Sequence, residues 1–261
     1  MALALARSLV KNTAYDRDAV RDAYNDWFKS NPFGCDRTVT HALRDSRINP
    51  DSQANGALMR ISPLGIFGAR DGVEAEILAA WARQDAELTH IHPVCVQANI
   101  LFVAAVASAI REGLAPNILY KGMCKHARVF NVEPALLETL ERAGHEPPPD
   151  YVRHQGWVLI AFGNAVWQLL HAPNLEEGII NTVMRGGDTD TNAAIAGALL
   201  GAVYGIGAVP ERWRRCIESC RPEKGTPDVA HPRPEYLWPI RAQELARELL
   251  VVGGSLLEDA F

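Results

Sequence analysis

The segment Arg185-Gly186-Gly187-Asp188-Thr189-Asp190-Thr191-Asn192-Ala193 holds the densest chemistry in the chain. Its two glycines permit positive φ and leave backbone N–H groups accessible. The carboxylates of Asp188 and Asp190 and the hydroxyl of Thr191 follow at once, just ahead of an apolar run. Oxygen ligands at this spacing, in a turn entering a helix, can converge on a hard cation such as Mg²⁺ or Mn²⁺. The competing reading is helix capping, with one acid as N-cap and the other complementing the helix dipole. The apolar run favours the cation, because two carboxylates held against a buried core need a counter-charge.

Three further segments carry weaker signals. Asn55-Gly56-Ala57-Leu58-Met59-Arg60 places a flexible turn before a helix-forming run, where exposed N–H groups can receive a phosphate or form an ordinary turn. Thr89-His90-Ile91-His92-Pro93, with Cys95 close by, has no second ligand pair elsewhere, so zinc is disfavoured. One histidine is expected to bond a ligand or a neighbouring element, and Thr89 or Pro93 to start the next helix. Gly156-Trp157 opens another helix, with an indole able to stack on a planar ligand or to sit in the core.

The elements that must hold these groups are helical. Ala19, Val20, Ala23, Tyr24, Trp27 and Phe28 paint one helix face, with Asp16 and Asp18 at its start. Further helices are expected over Met1 to Val10, Val73 to Glu87, Val94 to Ile110, Pro134 to Ala143, Tyr151 to Leu170, Leu175 to Met184, Thr191 to Tyr204 and Ile240 to Val252. Nothing alternates with period two long enough for a sheet. Turn-rich joints lie at Asn49–Ser52, at Gly144–Asp150 and along a proline-rich loop at 221–239. The run Ala193 to Val209, with Gly197, Gly201 and Gly205 at GxxxG spacing, reads as the buried core helix of a bundle rather than a membrane span. The expectation is one all-α domain over 1–261.

Composition narrows the function classes. The 261 residues carry 26 Lys+Arg against 31 Asp+Glu, a net charge of −5, without a basic block. That balance disfavours nucleic acid and anionic membrane as partners. Five cysteines without CxxC spacing point to a reduced, cytoplasmic protein, and the apolar N-terminus lacks the basic region and cleavage site of a signal peptide.

Taken in order, Asn55–Gly65 (NGALMRISPLG), Leu88–Pro93 (LTHIHP), Gly156–Val158 (GWV) and Arg185–Gly205 (RGGDTDTNAAIAGALLGAVYG) resemble the ADP-ribosylglycohydrolase family. The last segment is the most specific of the four, and the resemblance extends from Met1 to about Trp213. It implies an all-α orthogonal multi-helix bundle with a binuclear Mg²⁺ or Mn²⁺ site, cleaving the bond between ADP-ribose C1″ and a protein side chain. By this resemblance Asp188, Asp190 and Thr191 are metal ligands. Asn55, Gly56, Met59, His90, Trp157, Gly186 and Gly187 are substrate-binding residues. No catalytic residue is assigned, Asp190 being favoured as a metal-linked acid.

The chain also departs from the family pattern. Relatives carry a Thr-Asp-Asp-Thr-Glu element, the other half of the metal cage, directly before the helix that here begins at Met1. The expectation is therefore a chain N-terminally truncated relative to the family, with one metal position weakened and an apolar face available for self-association. At Pro32–Thr38, many relatives read Phe-Asp-x-Gly-x-Thr, and Gly34 stands where that carboxylate would be. Ile160 replaces a frequent Asp. The alternative function is an ADP-ribose-binding pseudoenzyme or interaction protein with the same fold.

Overall fold

The computed structural model describes residues 1–227 and 229–251. Thirteen α-helices and three short 3₁₀ turns account for the regular structure among them. The N-terminal group is α1 (Ala2–Asn12), α2 (Arg17–Lys29) and α3 (Arg37–Asp45). The central group comprises α4 (Ser62–Gly68), α5 (Ala75–Ala86), α6 (Pro93–Glu112), α7 (Pro116–Val129) and α8 (Pro134–Arg142). The last group comprises α9 (Val158–His171), α10 (Leu175–Met184), α11 (Thr189–Tyr204), α12 (Glu211–Glu218) and α13 (Ala242–Val251). The all-α bundle expected from periodicity is the fold observed; the only β-type pairing among the described residues is an isolated antiparallel bridge, Ala54 with Trp157.

Local chemistry explains many of the boundaries. Asp16 caps α2 by accepting from Asp18 N and Ala19 N. Pro93, Pro116 and Pro134 sit in the first turns of α6, α7 and α8, where a missing N–H costs no helical bond. Gly113, at φ +61°, closes α6 in the left-handed conformation. The long helix α6 is the axis of the core and packs against α4, α5, α7, α9 and α11. It is long and apolar enough to cross a membrane by length and composition, with a mean hydropathy of 1.9, yet most of it is buried inside the fold. α9 is buried along nearly its whole length and carries α11 and α8 on its flanks.

Several expectations are corrected here. The helix expected from Tyr151 begins only at Val158, because residues 151–156 form turns and Gln53–Asn55 bonds to the segment that follows. α11 is not buried all round: Ile195, Ala196, Leu199 and Leu200 face the core. Its opposite side, with Gly197, Gly201 and Ala202, lines an apolar groove of about 560 Å³ shared with Ile66, Val106 and Ile110. Sequence periodicity also missed α3 and α12, where the apolar spacing lasts a single turn, Val39-Ala42-Leu43 and Trp213-Cys216-Ile217, and which bury one residue and none. α7 was missed as well, although it buries Leu119, Met123, Cys124 and Ala127 at helical spacing. The C-terminal helix starts at Ala242, and Val252, its expected end, lies outside the described residues. The described part of the 221–239 loop is tied down: Arg233 donates to Ser30 Oγ at 2.8 Å, and Arg7 to the Trp238 carbonyl at 2.8 Å.

Candidate functional site

Two irregular segments meet where the sequence signals lie. Asn55 N donates to the Gly156 carbonyl at 2.9 Å and Val158 N to the Gln53 carbonyl at 2.9 Å, so the strap before the first 3₁₀ turn is stitched to the start of α9. The Trp157 indole donates to Gln53 Oε1 at 2.9 Å, which fixes the ring's orientation while leaving the residue 37% exposed. A planar ligand therefore has a pre-oriented aromatic surface to meet. Met59 lies one turn on, half-buried against the core.

The turn entering α11 abuts this strap. Gly186 and Gly187 have φ of +76° and +74°, conformations that favour glycine. A Cβ on Gly187 would also lie 1.8 Å from the Tyr151 carbonyl oxygen, so both torsion and space demand glycine. Tyr151 is held by its hydroxyl, which donates to Asn164 Oδ1 at 2.9 Å, while Asn164 donates to Thr182 Oγ1 at 3.0 Å. α9 and α10 thus set the position of the glycine turn.

Asp188 stands at the N-cap of α11 but makes no side-chain capping bond. Its carboxylate instead accepts from Asn55 Nδ2 at 2.8 Å, across 133 residues of sequence. Burial raises the Asp188 pKa above the ordinary carboxylate value, and Asp190 beside it adds to the rise, while Asn55 and Thr191 work against it. Asp190 itself is exposed. Asn192, one residue past Thr191, is fully buried with neither amide atom hydrogen-bonded. Capping accounts for neither the unpaired Asn192 amide nor the Asp188 contact with Asn55.

The donor set limits what can be held. Asp188, Asp190 and Thr191 suit one hard cation completed by water or ligand oxygens. Among the described residues no three His, Cys, Asp or Glu side chains cluster to hold a metal, so a binuclear cage does not fit them.

Behind the strap lies a fully buried network. Arg60 Nε donates to Asp85 Oδ1 at 3.0 Å and Arg60 Nη2 to the Asp85 carbonyl at 2.7 Å. Tyr24 donates its hydroxyl to Asp85 Oδ2 at 2.7 Å and lays its ring beneath the guanidinium, 4.6 Å from Cζ. Arg60 Nη1 reaches Thr89 Oγ1 at 2.8 Å, and that oxygen is 2.7 Å from His90 Nδ1. His90 is completely buried and its Nε2 has no hydrogen-bond partner. Burial, followed by the charge of Arg60, pushes its pKa down to about 3, so the ring is neutral.

Asn55, Gly56, Trp157, Gly186, Gly187 and Asp188 are thus brought to one place, with Met59 at its edge and His90 beneath Gly56. Sequence reasoning missed Gln53, Asp85 and Asp36. Asp36 caps α3 through Oδ1, while its Oδ2 lies 2.6 Å from where a Gly56 Cβ would stand. Although Gly34 occupies the expected acid position, a carboxylate two residues on reaches the strap. Ile160 is buried in α9.

A helical bundle with an acidic turn at the head of a core helix defines the class, and comparison with solved structures agrees on the fold. A chain of an ADP-ribosylglycohydrolase-related protein complex matches with a TM-score of 0.72 at 24% identity, covering 96% of this chain and 78% of that one. The sequence profile of the ADP-ribosylglycohydrolase family matches residues 1–247, and the protein belongs to that family of glycosidic-bond hydrolases. It is 28% identical over 225 residues to the dinitrogen-reductase ADP-ribosyl glycohydrolase of Rhodospirillum rubrum, covering 82% of this chain and 70% of that protein. It is 25% identical over 268 residues to an ADP-ribosylhydrolase of Homo sapiens, covering 84% and 73%. An ADP-ribosylarginine hydrolase of Pseudomonas putida is 23% identical over 236 residues, covering 82% and 59%.

Proposed function

We propose that this protein removes ADP-ribose from modified protein side chains by hydrolysing the glycosidic bond at C1″. The observation that carries the reading is the Asp188 carboxylate, which makes no capping bond and is held by Asn55 beside Thr191 and Asp190. Such a carboxylate pair stabilises positive charge as the C1″ bond breaks through an oxocarbenium-like state. Trp157 offers a face to a planar ring, and the strap and the glycine turn meet beside it through Asn55 and Asp188. Water adds to C1″ while the departing side-chain atom takes up a proton. Asp188, Asp190 and Thr191 would hold one Mg²⁺ or Mn²⁺, which when bound orients ribose hydroxyls and acidifies water. A cytoplasmic location is proposed with it, on the cysteine pattern.

The test is release of ADP-ribose from an ADP-ribosylated protein, with Mg²⁺ or Mn²⁺ and with chelator. Metal-dependent turnover is expected. The small carboxylate set favours a second reading, a protein that binds ADP-ribose without turning it over. Binding with no turnover from a folded sample would select it. In either case Asp190→Ala is expected to abolish metal-dependent ADP-ribose binding with the fold intact; calorimetric binding unchanged by substitution and by chelator would refute the metal assignment.

A further inference from the structure

The buried network behind the strap settles a question of proton placement. Arginine has only donors, so the Arg60–Thr89 contact at 2.8 Å requires the Thr89 oxygen to accept. The Thr89 hydroxyl then has a single proton to place. Thr89 is fully buried, and its other side-chain partner is His90 Nδ1 at 2.7 Å. A buried hydroxyl proton left unbonded is costly, so it goes to Nδ1, which must be the unprotonated nitrogen. A neutral imidazole whose Nδ1 accepts carries its proton on Nε2.

We infer that Arg60, clamped by Asp85 and Tyr24, acts through Thr89 to lock His90 as the Nε2–H tautomer, so that Nε2 is a hydrogen-bond donor and never a base. Arg60, Asp85, Tyr24 and Thr89 are positioning residues. The Nε2 atom has no acceptor in the protein. The neighbouring ring carbon, Cε1, lies 3.1 Å from where a Gly56 Cβ would stand, on the side where Asp36 Oδ2 also approaches. Nε2–H is thus a buried donor without a protein acceptor, and a ligand oxygen would meet it only with a shift of the strap at Gly56. That last step rests on the proposed ADP-ribose site; the tautomer itself does not.

The experiment is ¹⁵N–¹H correlation spectroscopy of histidine-labelled full-length protein near neutral pH, with and without ADP-ribose, alongside calorimetric titration of ADP-ribose. Wild type is expected to show a pyridine-like Nδ1 and a pyrrole-like Nε2 at His90. Thr89→Val, nearly isosteric but without the hydroxyl, is expected to mix the tautomers and weaken ADP-ribose binding roughly tenfold, the value of one hydrogen bond. Thr89→Ser is expected to restore both. A protonated Nδ1 in wild type, or an unchanged spectrum in Thr89→Val, would overturn the relay. Arg60→Met is expected to mix the tautomers as well; because it leaves Asp85 unpaired it is the harsher variant, and Thr89→Val decides the matter if it fails to fold. If ADP-ribose does not bind wild type while the tautomer is as stated, the proposed function fails and the relay stands. If ADP-ribose binds without shifting the Nε2–H resonance, the donor role is overturned.

Discussion

At the scale of single residues, the site depends on positions where one atom more or less changes the outcome. Gly187 combines a φ of +74° with a Tyr151 carbonyl oxygen 1.8 Å from its would-be Cβ. Gly187→Ala is expected to cost about 3 kcal/mol, from left-handed strain and displacement of the neighbouring backbone. Urea unfolding measures the loss directly, and a variant within 1 kcal/mol of wild type would show that the turn relaxes more easily than its packing indicates. Trp157 is the opposite case, with a partly exposed ring whose indole N–H bonds Gln53 and whose other ring contact is edge-on to His154. Trp157→Ala should weaken ADP-ribose binding with a small stability loss if the ring stacks on the ligand. Unchanged affinity with a large drop in stability would return the ring to a packing role.

Helices set where these residues lie, and α11 shows how function and packing share one element. Its first turn carries Asp188, Asp190 and Thr191, its core side meets α9 and α10, and its small-residue side borders the apolar groove. Gly201 has open space where a Cβ would go. Its helical backbone suits alanine, so Gly201→Ala is expected to stabilise the protein by about 0.5–1 kcal/mol, seen as a higher Tm with ADP-ribose binding unaltered. A lower Tm would mean that the groove closes over this position in solution. The strap presents a different economy of structure. With one isolated bridge and a few backbone bonds it joins residues 53–55 to 156–158, and through Asn55 it reaches the head of α11.

Across the whole molecule, the buried ionisable groups couple stability to pH. His90 is folded neutral with a pKa near 3, against an ordinary value of 6.5. The unfolded chain therefore binds a proton that the folded chain refuses below pH 6.5. This contribution to stability is fully present above that pH and is lost as pH falls toward 3, at up to about 1.4 kcal/mol per pH unit. His90→Gln is expected to flatten that slope; urea unfolding of both proteins at pH 6.5 and pH 5 isolates the difference. Equal slopes would mean that His90 protonates in place, through local opening of the strap.

Local sequence determined what local physics controls. The 3.6-residue apolar period announced an all-α chain, Pro93 and Pro134 marked helix starts, and the paired glycines before Asp188 announced positive φ. The same reading passed over α3 and α12, because an apolar triplet confined to one turn is too short to establish a period. The ordered motif segments supported the family resemblance, since spacing and residue type are themselves sequence properties. Tertiary structure alone decided which atoms face each other. Asp188 could have capped its own helix, and that its carboxylate instead meets Asn55, 133 residues away, is settled only by the fold. Arg60 gave no sign in the chain of a buried partner in Asp85, nor Asp36 of an approach to Gly56. A hydrogen bond is made over about 3 Å, and pairs so distant in sequence meet only once the bundle has closed.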